Sequence, residues 1–182
     1  MSLTFTTNTY VAHHLAADAA LNAASAIRKG SFYHLINAQV MSAFMFESYL
    51  NHVINKNPNR FFDLNLESIE EKWREKFKKV STEYGLNSDL GYKNNKSIGD
   101  AFRFRNAMAH GQTVTNVGIT DKVSDNPFGL LKPDWEKSCT EKNVRRIFND
   151  LSSIIISINQ KAFPTTTAGF PFSIYGSGSG YG

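Results

Sequence analysis

The chain has 182 residues, of which 41% are hydrophobic and 20% charged, and its formal net charge is +4. A chain of this length and composition fits one globular domain with one core, which argues against a disordered protein or a membrane protein. We expect no leader peptide and no membrane association, because no apolar run approaches the ~18 residues that span a bilayer. The single cysteine, Cys139, excludes an internal disulfide and fits a cytoplasmic protein. The excess of positive charge permits a polyanionic partner such as RNA.

Three helices are predicted in the first half of the chain. Residues 13–29 are rich in alanine and contain no proline or glycine, which favours the first helix. A second helix is predicted over 31–55, with Ser31 as its cap, and its middle is apolar on nearly every side. An amphipathic third helix begins at Asn65 or Ser68 and ends at Gly85.

The second half of the chain predicts two more helices. Ser97 and Asp100 approximate a capping box that starts the fourth helix, which ends at His110 and Gly111. Helical periodicity is then lost over 112–132, where we expect a small hairpin or a loop insertion. Thr140 is predicted to cap a fifth helix that runs to about Ala162.

These elements predict an all-α fold, a single helical bundle of about five helices, as one domain over 1–162. Residues 163–182 form a tail rich in glycine, serine and aromatic residues, a composition that does not fold alone. Alternatively, the aromatic residues of the tail occupy a groove of this molecule or of a neighbouring one.

The segment 103–111 gathers polar side chains at the predicted end of the fourth helix. At 100° per residue, Arg105 falls on the packed face of this helix. The apolar members of that face are Ile98, Ala101, Phe102, Met108 and Ala109. Asn106, His110 and Arg103 lie on a different stripe and form a polar edge.

A guanidinium on a packed face must meet a carboxylate or emerge at a seam between helices or subunits. Glu47, the lone carboxylate on the apolar second helix, is the candidate partner of Arg105; alternatively, Glu47 faces solvent. His110 lies in the last helical turn, where the helix dipole favours imidazolium, and a histidine there suits general acid–base chemistry. An imidazole, a guanidinium and an amide without a metal-binding cluster suit cleavage of RNA by its own 2′-hydroxyl. A structural role stays open, because such a histidine also caps carbonyls and such an arginine also forms buried pairs.

Arg105, four intervening residues and His110, with Asn106 directly after the arginine, resemble the R-x4-6-H motif of HEPN domains. These domains are all-α bundles of bacterial and archaeal toxin–antitoxin, phage-defence and RNA-processing systems. The apolar second helix with its segment Phe46–Asn51 also fits, and the resemblance covers about residues 13–162. It implies a homodimer whose two motifs meet and cleave RNA without a metal or another cofactor, leaving a 2′,3′-cyclic phosphate. An antitoxin or another regulatory protein is the further partner that the resemblance implies.

Carried onto this chain, the resemblance makes His110 the residue that transfers protons and Arg105 the residue that stabilises the phosphate. Asn106 would orient either of them, and these three would be the catalytic residues. The position of Glu47 on the apolar second helix suggests that it orients a catalytic residue. Arg103 is a candidate for contact with RNA. The sequence thus predicts a metal-independent endoribonuclease. The alternative is a non-catalytic helical interaction or regulatory module in which Arg105 and His110 are structural.

Overall fold

The computed structural model describes residues 8–27, 29–62, 73–111, 133–164 and 171–172. These residues form helices and short 3-10 turns and contain no strand, which confirms the predicted all-α bundle. The α-helices are α1 (Thr9–Ala26), α2 (Ser31–Lys56), α3 (Trp73–Glu83), α4 (Lys96–His110), α5 (Asp134–Ser138) and α6 (Glu141–Ala162). The 3-10 turns are Pro58–Arg60 and Lys93–Asn95. None of the described helices combines the length and the apolar character that a membrane crossing requires.

Helix α2 lies at the centre of the bundle and contacts α1, α3, α4 and α6. Its sequence predicts this position, because a helix that is apolar on nearly every side must be covered on nearly every side. Phe46 and Tyr49 are fully buried. The Phe46 ring lies 5.7 Å from the ring of Phe77 on α3 and 6.5 Å from that of Phe102 on α4. One aromatic cluster therefore joins the three helices.

Helix α6 closes the bundle with one apolar face. Its start is confirmed, since the Oγ1 of Thr140 accepts a hydrogen bond of 3.3 Å from the backbone N–H of Asn143. One face of the helix is buried, and Ile154 beside it is half-buried. Its buried apolar members are Val144, Ile147, Phe148, Leu151, Ile155 and Ile158. On the same helix Asn159 accepts a hydrogen bond of 3.1 Å from the buried hydroxyl of Tyr49, which fixes α6 against α2.

The end of α3 is set by Gly85, as predicted. Gly85 has a φ of +60°, a conformation that costs a residue with a Cβ roughly 1 kcal/mol. The N–H of Leu86 donates to the carbonyl of Ser81 at 2.7 Å, and the N–H of Gly85 donates to that of Thr82. These two bonds satisfy carbonyls that the helix end would leave unpaired. The predicted start of this helix lies outside the described residues.

The predicted start of α4 is wrong. The helix begins at Lys96, directly after the 3-10 turn, so Ser97 lies inside the first turn and does not cap it. Ser97 and Asp100 instead bind α6: the guanidinium of Arg146 donates to the Ser97 hydroxyl and, at 3.2 Å, to Asp100. Ser97 in turn donates to Asp150. A long-range ion cluster has replaced the local capping box.

Several boundaries also differ from prediction. α1 begins at Thr9, four residues before the predicted start, and Ser31 is the first residue of α2 because Gly30 occupies the capping position. The short helix α5 is absent from the prediction. The expected hairpin or loop insertion over 112–132 lies outside the described residues.

Two aromatic residues of the predicted tail, Phe163 and Phe172, pack on the bundle among the described residues. The ring of Phe163 lies 5.8 Å from that of His52 on α2. Phe172 is buried, and its ring stacks on that of His14 of α1 at 3.8 Å between centroids. The ring of Phe148 of α6 also stacks on that of His14, at 5.0 Å between centroids. Phe172 therefore packs against α1 of its own molecule.

Candidate functional site

The candidate site lies at the C-terminal end of α4, which ends at His110 as predicted. Gly111 follows with a φ of +51°, and a residue with a Cβ at that position would be strained. The packed face of α4 is narrower near this end than predicted, because Met108 is only half-buried and Ala109 is exposed. Phe104 is buried instead, and its ring lies 6.4 Å from that of Trp135 on the unpredicted helix α5.

Arg105 contacts Glu47 of α2. The guanidinium donates from Nη2 to Oε2 of Glu47 at 3.2 Å, and the two side chains are 24% and 30% exposed. The pairing that the sequence suggested is thus present, and the alternative of a Glu47 that faces solvent alone is not observed. The Arg105 Cζ also lies 5.2 Å from the Phe102 ring and 5.9 Å from the Phe44 ring, within cation–π range.

Only part of the donor capacity of Arg105 is used. Its Nε is buried without a hydrogen-bond partner among the described residues. Its Nη1 also makes no hydrogen bond to a described residue and is not among the buried atoms that lack a partner. A guanidinium has five N–H donors in a fixed plane, so one held through Nη2 presents the remainder in a defined direction. Such a group is suited to an anionic oxygen that approaches from solvent.

Asn106 and His110 are exposed, and neither makes a hydrogen bond to a described residue. Arg105 and His110 are five positions apart, so their side chains leave the helix axis in directions about 140° apart. Within one helix the two groups therefore diverge. A ligand that meets both needs a second surface to complete the site.

Arg103 lies away from Arg105. Its side chain is 80% exposed and meets Asp100 at 3.4 Å. It lines a cavity of about 440 Å³ that also involves Phe104, Trp135 and the buried Gln39. At 100° per residue, Arg103 lies about 160° around the helix from Arg105. The structure therefore separates Arg103 from Arg105, while Arg103 shares the exposed polar edge of α4 with Asn106 and His110, as the sequence predicts.

His13 of α1 was missed as a site residue. Its Nδ1 lies 3.1 Å from Oγ of Ser48, and its ring centroid lies 5.7 Å from that of Phe44. Phe44 is also the ring that Arg105 approaches. The adjacent pair His13–His14 is no metal-binding signal either, because neighbouring side chains on a helix point about 100° apart. No local signal connects a histidine with a helix that begins 18 residues later.

Two other chemistries find little support among the described residues. No group of three or more histidine, cysteine, aspartate or glutamate side chains there is placed to hold a metal ion. Cys139 is buried, and burial raises the pKa of its thiol to about 11. Because a thiolate is the reactive form, Cys139 is a poor nucleophile near neutral pH.

The candidate site consists of Arg105, held by Glu47, and the exposed pair Asn106 and His110 at the end of the same helix. Its likeness to the HEPN motif rests on those residues and their spacing. No protein-family model, curated protein or solved structure matches the chain.

Proposed function

We propose that the chain is a metal-independent endoribonuclease of HEPN type that acts as a homodimer. The observation that carries the proposal is the half-buried Arg105 on the helix that ends at exposed His110. Glu47 holds Arg105 through Nη2, and the other N–H donors of Arg105 make no hydrogen bond to a described residue. Charge that develops on a phosphate is stabilised best by donors fixed before the reaction begins. The pairing with Glu47 supplies that fixation.

In the proposed reaction, the 2′-hydroxyl of the substrate attacks the adjacent phosphorus and loses its proton. The bond from phosphorus to the 5′-oxygen breaks, and that oxygen takes up a proton. His110 transfers these protons, and Arg105 stabilises the charge on the non-bridging oxygens. Asn106 orients the phosphate or the imidazole. The products are a 2′,3′-cyclic phosphate and a 5′-hydroxyl, and no metal takes part.

The divergence of Arg105 and His110 on α4 supports the dimer. In a two-fold interface the same surface meets its own copy, so Arg105 of one subunit can lie beside His110 of the other. The proposal places RNA in the groove between the two copies. It also assigns the protein to the cytoplasm, within a toxin–antitoxin or phage-defence system whose antitoxin or regulatory protein restrains cleavage.

The proposal is tested with a labelled single-stranded RNA incubated with pure protein in EDTA. The wild-type protein is expected to cleave the RNA, and His110→Ala or Arg105→Ala is expected to lower the rate by at least about 100-fold, as for loss of a general acid–base group. Arg145→Ala is the matched control, because Arg145 forms an exposed pair with Glu141. A single 2′-deoxy substitution is expected to block the cut at that nucleotide. Intact RNA, or cleavage that needs a divalent metal, would overturn the proposal.

The second candidate is a non-catalytic helical module, and the Arg105–Glu47 contact itself favours it. A guanidinium between the rings of Phe44 and Phe102, paired with a carboxylate, also suits an arginine that only joins α4 to α2. The two candidates differ at His110, which contacts no described residue by hydrogen bond. If His110→Ala leaves the melting temperature unchanged and abolishes cleavage, the enzyme is supported. If RNA stays intact while Arg105→Ala unfolds readily, the structural module is supported.

A further inference from the structure

Three helices contribute to one surface beside Arg105. Phe44, Glu47 and Ser48 lie three and four residues apart on α2 and therefore share one helix face. Arg105 of α4 reaches this face at Glu47, and His13 of α1 reaches it at Ser48. We call these five residues the Phe44 face. The Arg105 guanidinium and the His13 ring each lie within 6 Å of the Phe44 ring.

The two basic groups of the Phe44 face are held in the same way. Nη2 of Arg105 is hydrogen-bonded to Glu47, and Nδ1 of His13 is hydrogen-bonded to Ser48. The second ring nitrogen of His13, Nε2, makes no hydrogen bond to a described residue and is not among the buried atoms without a partner. Each group is thus fixed by α2 and keeps polar capacity for a ligand. His13 and Phe44 are both partly exposed, so the surface is open to solvent.

An apolar ring between two fixed polar groups matches the chemistry of a nucleotide. Unpaired RNA exposes base faces that rest on aromatic side chains, and its phosphates take charged N–H donors. The positive charge of Arg105 balances the negative charge of Glu47, so the surface does not repel an anion as a free carboxylate would. A base in a duplex is stacked on its neighbours and cannot reach Phe44.

We propose that the Phe44 face is a nucleotide subsite for single-stranded RNA, in which a base rests on Phe44 and His13 binds the nucleotide through Nε2. The subsite rests on the proposed function, because the phosphate of the same nucleotide is the one that Arg105 holds. His13 is a binding residue there and transfers no proton. The site thereby extends from α4 across α2 to α1.

The test measures the dissociation constant of a fluorescent ten-nucleotide RNA in EDTA by anisotropy. All variants carry His110→Ala, so that the RNA stays intact. His13→Ala is expected to weaken binding about 3- to 10-fold through the lost hydrogen bond, and Phe44→Leu about 5-fold or more through the lost stacking. The matched control is His34→Ala, at a partly exposed histidine of α2 outside the Phe44 face. The same RNA in a blunt duplex is expected to bind more weakly to the parent and equally to all these variants.

The outcomes separate the subsite from the cleavage reaction. If Arg105→Ala weakens binding while His13→Ala and Phe44→Leu stay within twofold of the parent, the subsite is wrong and the proposed enzyme stands. If all three weaken binding but wild-type protein never cuts RNA, the subsite stands and the enzyme is wrong. If the wild-type protein binds no RNA, both are wrong. Melting curves of each variant verify that the folded protein is being compared.

Discussion

The contact between Arg105 and Glu47 allows a quantitative prediction. The perturbation is a double-mutant cycle of Glu47→Ala, Arg105→Ala and the combined variant. At the observed 3.2 Å, the Coulomb energy of two unit charges is about 1.3 kcal/mol in water and about 5 kcal/mol at an effective dielectric constant of ~20. The side chains are only 24% and 30% exposed, so the Coulomb energy of this pair is nearer to the larger value. The hydration that both charged groups lose on folding cancels much of that energy. We expect a net coupling of about 1 to 2 kcal/mol.

The assay is unfolding in guanidinium chloride at pH 7, supported by thermal melting. For a chain of this length, each kcal/mol corresponds to a shift in Tm of roughly 2 to 4 °C. Arg145 and Glu141 provide the internal reference, because their atoms are also 3.2 Å apart while their side chains are 41% and 48% exposed. Their coupling is expected to be smaller than that of Arg105 and Glu47, because solvent screens two exposed charges. If the Arg105–Glu47 coupling is no larger than this reference, Glu47 does not fix Arg105 and the argument for a preorganised guanidinium fails.

Three further predictions concern other parts of the fold. Gly111→Ala is expected to destabilise the protein by about 1 kcal/mol, because the φ of this residue is +51°. Gly99→Ala, inside α4 and with an equally open Cβ position, is expected to stabilise the protein by a similar amount. Denaturant unfolding in which both variants change the free energy of unfolding in the same direction would contradict this. At pH 8 iodoacetamide should alkylate Cys139 slowly until denaturant is added, because the thiol with a pKa of about 11 is protonated; rapid native labelling would contradict its burial. Burial lowers the pKa of His14, against a smaller opposing effect of Asp18, so the folded state binds fewer protons than the unfolded state below pH 6.5. The free energy of unfolding should therefore fall between pH 7 and 5, and fall less in His14→Phe; parallel curves would rule this out.

The sequence predicts the helices whose signals are local. Helix α6 has a cap at Thr140 and one apolar face, and α3 ends at a glycine with the required positive φ. The start of α4 was mispredicted because the local signal of Ser97 competes with Arg146, which lies 49 residues further along the chain and takes the Ser97 hydroxyl. Periodicity carries no information about a partner at that distance.

The candidate site likewise has a part that the sequence predicts and a part that it does not. The positions of Arg105 and His110 on their helix follow from 100° per residue, and the pairing with Glu47 follows from the need of a half-buried charge for an opposite charge. The contact of His13 with α2 could not be predicted in this way. A partly exposed histidine needs no particular partner, so its sequence neighbours do not indicate what it contacts. Its place beside Phe44 depends on how α1 crosses α2.

The ion cluster around Arg146 gives α4 a mechanical role. Arg146 ties the first turn of α4 to α6 through Ser97 and Asp100, whereas the last residue, His110, has no such tie among the described residues. The thirteen steps from Ser97 to His110 span about 20 Å, and the Arg105–Glu47 pair holds the helix to α2 about 8 Å before its end. A rotation of about 5° about that pair would move the His110 end by about 0.7 Å, and a misplacement of about 1 Å can cost an enzyme roughly 100-fold in rate. Ser97→Ala therefore tests whether a hydroxyl one helix length away sets the precision of the site, through a loss of cleavage greater than its loss of stability.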